Sequence, residues 1–157
     1  MGYYVRAFCA SEKVPTPRAL LEYAKKKGIP LGLEGDGVDI DNTNLEQLAW
    51  VYKDGKLPIL MECNRDTSED CLFREEIEEF IEFIGKPGLS VKKRRIIGHL
   101  KESKYIIACQ LPTSDIDDDG YDANGMLLTY FVENHSAIIQ ADGEGFYEGD
   151  KVVVALE

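Results

Sequence analysis

The sequence predicts an α+β fold. It reads as two similar β-α-β-β units sharing a mostly antiparallel or mixed sheet, with helices packed on one face. Three observations carry this expectation. Apolar runs of strand length alternate with segments of helical periodicity along all 157 residues. The segment Tyr52-Lys-Asp-Gly-Lys56, with Glu62 beyond it, aligns without a gap on Tyr147-Glu-Gly-Asp-Lys151 with Glu157 beyond it. An acidic, glycine-bearing turn precedes each copy, Glu34-Gly-Asp-Gly in the first and Ala141-Asp-Gly-Glu-Gly in the second. Agreement of order and spacing points to an internal duplication.

The first half, residues 1–84, reads β-α-β-β-β-α. YYVRAFCA is aromatic and β-branched and opens the chain as a strand. A helix follows with clear punctuation. Thr16 is its N-cap, Pro17 its first residue, Lys25 to Lys27 lie at the negative end of its dipole, and Gly28 ends it. Pro30 prevents further helix, so residues 29–33 read as a strand. In LAWVYKDGKLPILMECN, Asp54-Gly55 between two apolar runs predicts a tight hairpin, and Pro58 suits a strand start. Thr67 or Ser68 then opens a helix whose stripe is Ile77, Phe80, Ile81 and Ile84, with its glutamates facing water.

GKPGLS, residues 85–90, is the clearest break and reads as a linker. The second half, residues 91–157, reads α-β-α-β-β. Ser90 caps a helix with Ile96, Ile97 and Leu100 inward, and YIIACQLP is the next strand. GMLLTYFVENH has strand-like composition, but Leu127, Leu128 and Phe131 share a helical face, and Asp119 with Asp122 makes a plausible cap pair. The expectation is therefore a helix, and the remaining residues read as closing strands.

Net charge is −11, from 29 acids and 18 bases. Such a surface repels phosphate backbones and anionic lipid heads, so nucleic-acid and membrane roles lose ground. The basic cluster Lys92, Lys93, Arg94 and Arg95 reads as the solvated side of a helix. Cys9, Cys63, Cys71 and Cys109 contain no C-x-x-C pair, and three of them fall in apolar runs. A reduced, cytoplasmic chain is the simplest account. A Cys109/His135 nucleophile pair is the one thiol chemistry the composition would allow, and no motif surrounds it.

The stretch TSDIDDDGYDANG, residues 113–125, packs five aspartates and two glycines into thirteen positions. Asp115, Asp117, Asp119 and Gly120 match the opening of an EF-hand calcium loop. The rest departs from it, since Met126 stands where a bidentate glutamate belongs and Asp122 where an apolar residue belongs. A capped turn is the primary expectation, because aspartates bond local backbone and suit a helix N-terminus. Weak calcium or magnesium binding at Asp115, Asp117 and Asp119 is the alternative, and with it a divalent-metal enzyme using loop 115–122. Glu62 and Glu157 are a second carboxylate pair with the same potential. No other cofactor is expected.

The β-α-β-β repetition resembles ferredoxin-like regulatory modules. The β-α-β-β-β order of the first half also resembles the module of the glyoxalase and dioxygenase superfamily, which implies a divalent metal held by His and Glu on strands. His99 and His135 do not occupy first or last strands, so that ligand set has no match. The leading expectation is a non-enzymatic cytoplasmic binding or regulatory protein. Its site would be a groove between the halves lined by Trp50, Tyr52, Asp142, Glu144 and Tyr147, holding a protein or small ligand. The halves could face each other within one chain or across a homodimer.

Overall fold

The computed structural model describes residues 3–156 and places every strand in one sheet. In chain order the elements are β1 (Tyr3–Cys9), α1 (Pro17–Lys27), β2 (Gly32–Leu33), β3 (Gln47–Val51), β4 (Ile59–Arg65) and α2 (Leu72–Ile84). They continue with α3 (Val91–Glu102), β5 (Tyr105–Leu111), α4 (Asp118–Asn134), β6 (Ala137–Ala141), β7 (Gly145–Glu148) and β8 (Lys151–Ala155). The sheet runs β2-β3-β4-β5-β1-β6-β7-β8, and each neighbouring pair is antiparallel. The α+β class and the antiparallel sheet stand as expected.

The halves interleave. β5 of the second half lies between β4 and β1 of the first, so the 85–90 linker joins two parts of one sheet. β5 and β6 run in the same direction with β1 between them, which is the split β-α-β arrangement of ferredoxin-like modules. A two-fold axis that exchanges β1 with β5 would carry β4 onto β6 rather than onto β8. The hairpins aligned by sequence, β3-β4 and β7-β8, therefore do not occupy symmetric places in the sheet.

Side chains alternate across the strands, so parity sorts the core into two layers. Val5, Ala7 and Cys9 of β1 point to one face, together with Ile59, Met61 and Cys63 of β4 and Tyr105, Ile107 and Cys109 of β5. Leu20 and Ala24 of α1 and Leu127, Leu128 and Phe131 of α4 close over them. For these two helices the expected common face holds. The other pair departs from it. Phe8, Ile106, Ile138 and Phe146 point the opposite way, and α2 and α3 pack on them through Phe73, Phe80, Ile84, Ile96 and Leu100. The run Ala7-Phe8-Cys9 is apolar at consecutive positions because both faces are covered there. Phe8 meets Phe80 edge-on at 5.5 Å between ring centres and Phe146 at 5.7 Å, a geometry that adds to burial.

Local signals set most boundaries. Thr16 Oγ1 accepts from Ala19 N at 3.3 Å, and Gly28 closes α1 in the left-handed region at φ 73°. Residues 118–134 are helical as expected, but the cap is Asp117, which accepts from Gly120 N at 3.1 Å, rather than Asp119. α2 begins at Leu72 after Cys71, four residues beyond Ser68, and Cys71 supplies no side-chain cap. The Asp54-Gly55 turn is wider than a two-residue hairpin, because Leu57 and Pro58 keep β4 from starting before Ile59.

Candidate functional site

α2 and α3 cover only part of their face. Along β1, Phe8 lies beneath α2 while Tyr4, four residues earlier and of the same parity, does not. The uncovered part extends from β1 across β5 and β4 to β3. Its register is Tyr4 beside Gln110, Gln110 beside Leu60, and Leu60 beside Ala49. A second row places Arg6 beside Ala108, Ala108 beside Glu62, and Glu62 beside Gln47. Together they form an open groove of about 250 Å³. Its floor is apolar, from Tyr4, Ala49, Leu60 and Ala108, and Gln47, Glu62 and Gln110 supply the polar groups. Leu60 is 47% exposed at the centre of this floor.

One wall is a fixed charge cluster. Arg6 donates from Nε to Glu76 Oε2 of α2 at 3.0 Å, and from Nη1 to Gln140 Oε1 and Asp142 Oδ1, both at 2.8 Å. Its guanidinium lies over the rings of Tyr4 at 5.1 Å and Phe80 at 5.2 Å. Burial pushes the Glu76 carboxyl up from its ordinary range; Arg6 opposes this, while the neighbouring charges of Glu79 and Glu62 add to it. Three glutamates thus converge where α2 meets the open strands. Glu62 and Glu79 have no cation within ion-pairing distance among the described residues.

The residues expected to line one groove are divided by the fold. Trp50 and Tyr52 belong to the core beneath α1 and α4, and the Trp50 indole N–H points to Met61 Sδ at 3.5 Å. β3 and β7 are five strand spacings apart, roughly 24 Å at about 4.8 Å each, so Trp50 and Tyr147 cannot touch one ligand. Trp50 and its cross-strand neighbour Ile59 both face the α1 and α4 layer, away from the open groove. Glu144 and Tyr147 meet at the β6-β7 turn, while the Asp142 carboxylate turns to Arg6. Asp142 also accepts from Tyr4 N at 3.3 Å and so borders the open groove. Glu144 accepts hydrogen bonds from the hydroxyls of Tyr3 and Tyr147, which hold its carboxyl below the ordinary range.

The acidic loop is engaged by the β3-β4 connection. Lys53 Nζ donates to Asp117 at 3.0 Å and to Asp119 at 2.9 Å. Asp115 accepts from Leu57 N at 2.6 Å, and Lys56 Nζ donates to the Asp115 carbonyl at 3.0 Å. The hydrogen bond from Lys53 holds the Asp117 carboxyl below its usual range, against a smaller opposing effect of burial. One ammonium thus bridges two of the three aspartates named as candidate cation ligands. Among the described residues no three His, Cys, Asp or Glu side chains converge as metal ligands, and Glu157 lies outside those residues. His135 packs on Tyr105, Tyr130 and Phe131, whereas Cys109 lies four residues along β5 from Tyr105, roughly 13 Å away in an extended strand. The two do not form a nucleophile pair.

Sequence reading missed Tyr4, Arg6, Ala49, Leu60, Glu76, Ala108 and Gln110. A usable signal was present in β4, where Ile59, Met61 and Cys63 alternate inward with Leu60 and Glu62. Leu60 is the apolar residue on the outward side of that alternation. No family model matches this chain, and neither a curated protein nor a solved structure resembles it closely enough to assign a relative.

Proposed function

We propose that this chain is a non-enzymatic binding protein whose open sheet face holds a cationic, partly apolar segment of a partner protein. The observation that carries the reading is the exposure of Leu60 at the centre of an apolar floor, bounded by Glu62, Glu76 and Glu79. Exposed apolar surface with a polar rim marks interaction sites, and a rim of one charge selects partners of the other. The preformed Arg6–Glu76–Asp142 cluster supports it, because a wall fixed before binding costs no ordering. A reducing, cytoplasmic setting belongs to the same reading and is supported by four free thiols, three of them buried.

The test is fluorescence anisotropy with a labelled amphipathic leucine-lysine peptide, compared with a leucine-glutamate peptide of the same length. The reading expects saturable binding of the lysine peptide alone, weakened at least about tenfold by Leu60→Asp. Equal binding of both peptides, or binding that ignores Leu60→Asp, would remove the site from this face.

A further inference from the structure

We propose that the occupant of the open face is a second copy of this chain, docked through the turn joining α2 to α3. The inference rests on the reading of that face as a binding surface.

The turn is the most exposed apolar feature of the molecule. Leu89 is 94% exposed, Val91 67% and Phe83 58%, within nine residues of chain. Phe83 rests edge-on against Phe80 at 5.8 Å, so its outer side is presented by a packed neighbour rather than by a loose loop. Gly85 and Gly88 take positive φ, 76° and 54°, and turn the chain so that Leu89 projects beyond both helices. Ser90 then caps α3 by accepting from Lys93 N at 3.2 Å.

The same turn carries a strongly basic patch on an acidic protein. Lys86, Lys92, Lys93 and Arg94 surround the apolar residues, and none has a carboxylate within ion-pairing distance among the described residues. Arg94 donates to the Gly88 carbonyl, which ties the basic side chains to the turn. The positive end of the α3 dipole and the negative end of the α2 dipole both lie at this turn, so its charge comes from these side chains.

The open face is complementary on both counts. It offers an apolar floor at Leu60, Ala49 and Tyr4, and carboxylates at Glu62 and Glu79 that have no cation in ion-pairing distance among the described residues. Copies of a chain with a charge of −11 repel each other over most orientations, and an approach that brings the basic turn onto the acidic face is one that relieves this repulsion. Turn and face are different surfaces of one chain. The contact is therefore heterologous, and it closes into a two-fold pair only if both contacts form together.

Complementation by sedimentation velocity tests this directly. Leu89→Asp disables the turn and Leu60→Asp disables the face, and both residues are exposed enough for the fold to survive. Wild-type protein is expected to self-associate with rising concentration. Each variant alone should do so at least about tenfold more weakly, and an equimolar mixture of the two should restore a pair, because each retains the half the other lacks. The proposal is overturned if the wild type stays monomeric at all concentrations, if either variant associates like wild type, or if the mixture does not recover. If the wild type is monomeric yet still binds the leucine-lysine peptide at Leu60, the docking face stands and only its self-recognition fails. Binding of vesicles containing anionic lipid through Leu89, with the protein otherwise monomeric, would overturn the proposal and assign the turn to a membrane surface.

Discussion

Arg6 and Glu76 join the central strand to α2 at 3.0 Å, with side chains 16% and 15% exposed. The pair sits at the boundary between the covered and the open part of the sheet, so it both anchors α2 and forms the wall of the groove. Glu76→Ala leaves a largely buried guanidinium with Gln140 and Asp142 as its remaining partners. The expected cost is about 1–2 kcal/mol, between a surface pair and a fully buried one. Arg6→Ala should cost more, because it also removes the packing on Tyr4 and Phe80. Urea denaturation of both variants checks the order; equal costs would contradict it.

Gly145 stands at φ 133° where β7 leaves the turn, and a Cβ there would overlap the Val154 carbonyl oxygen. Both backbone conformation and space exclude a side chain. Gly145→Ala is expected to cost about 2 kcal/mol or more and to loosen the β7-β8 edge. Gly143→Ala is the control: it shares a positive φ of 75° but meets no atom within 4 Å, so it should cost less. Thermal unfolding of the two variants gives the comparison.

His135 is buried with no ring nitrogen in a well-formed hydrogen bond among the described residues, and burial lowers its pKa from the ordinary 6.5, an effect only partly offset by a weak interaction with the Lys13 backbone. The unfolded chain therefore binds the proton more readily than the folded one. Stability is fully present above about pH 6.5 and falls as pH drops below that value toward the folded pKa. His135→Phe should flatten this part of the profile. A profile unchanged by the substitution would place the titration elsewhere.

Lys53 bridges Asp117 and Asp119 and ties up both carboxylates, so added calcium is expected to leave the melting temperature of the wild type unchanged. Lys53→Ala frees the two carboxylates, and calcium should then raise the melting temperature of that variant. A calcium-dependent rise already present in the wild type would show that the ion displaces Lys53.

Much of the fold was legible because its signals are local. Thr16, Pro17 and Gly28 delimit α1 by backbone chemistry that needs no tertiary context, and Leu127, Leu128 and Phe131 share a helical face wherever the helix packs. The interleaving was not legible, since nothing near Tyr105 indicates that β5 inserts between β4 and β1. The site was only half legible for the same reason. Asp142 and Glu144 were marked by their glycine-rich turn, but only Asp142 reaches the open face, through Tyr4 and Arg6, while Glu144 bonds Tyr3 and Tyr147 of the other layer. Trp50 and Tyr52 were marked by their aromatic rings, which burial beneath α1 and α4 accounts for. Leu60 becomes meaningful only once it is known which helices leave its face uncovered.

The central claim is that the sheet face around Leu60 is the binding surface. Its most direct test is a backbone amide chemical-shift map of the isotopically labelled protein titrated with the leucine-lysine peptide. The account predicts that the largest changes cluster at Tyr4, Ala49, Leu60, Glu62, Ala108 and Gln110. Changes spread evenly over the acidic surface, or centred on Asp115 to Asp119, would contradict it.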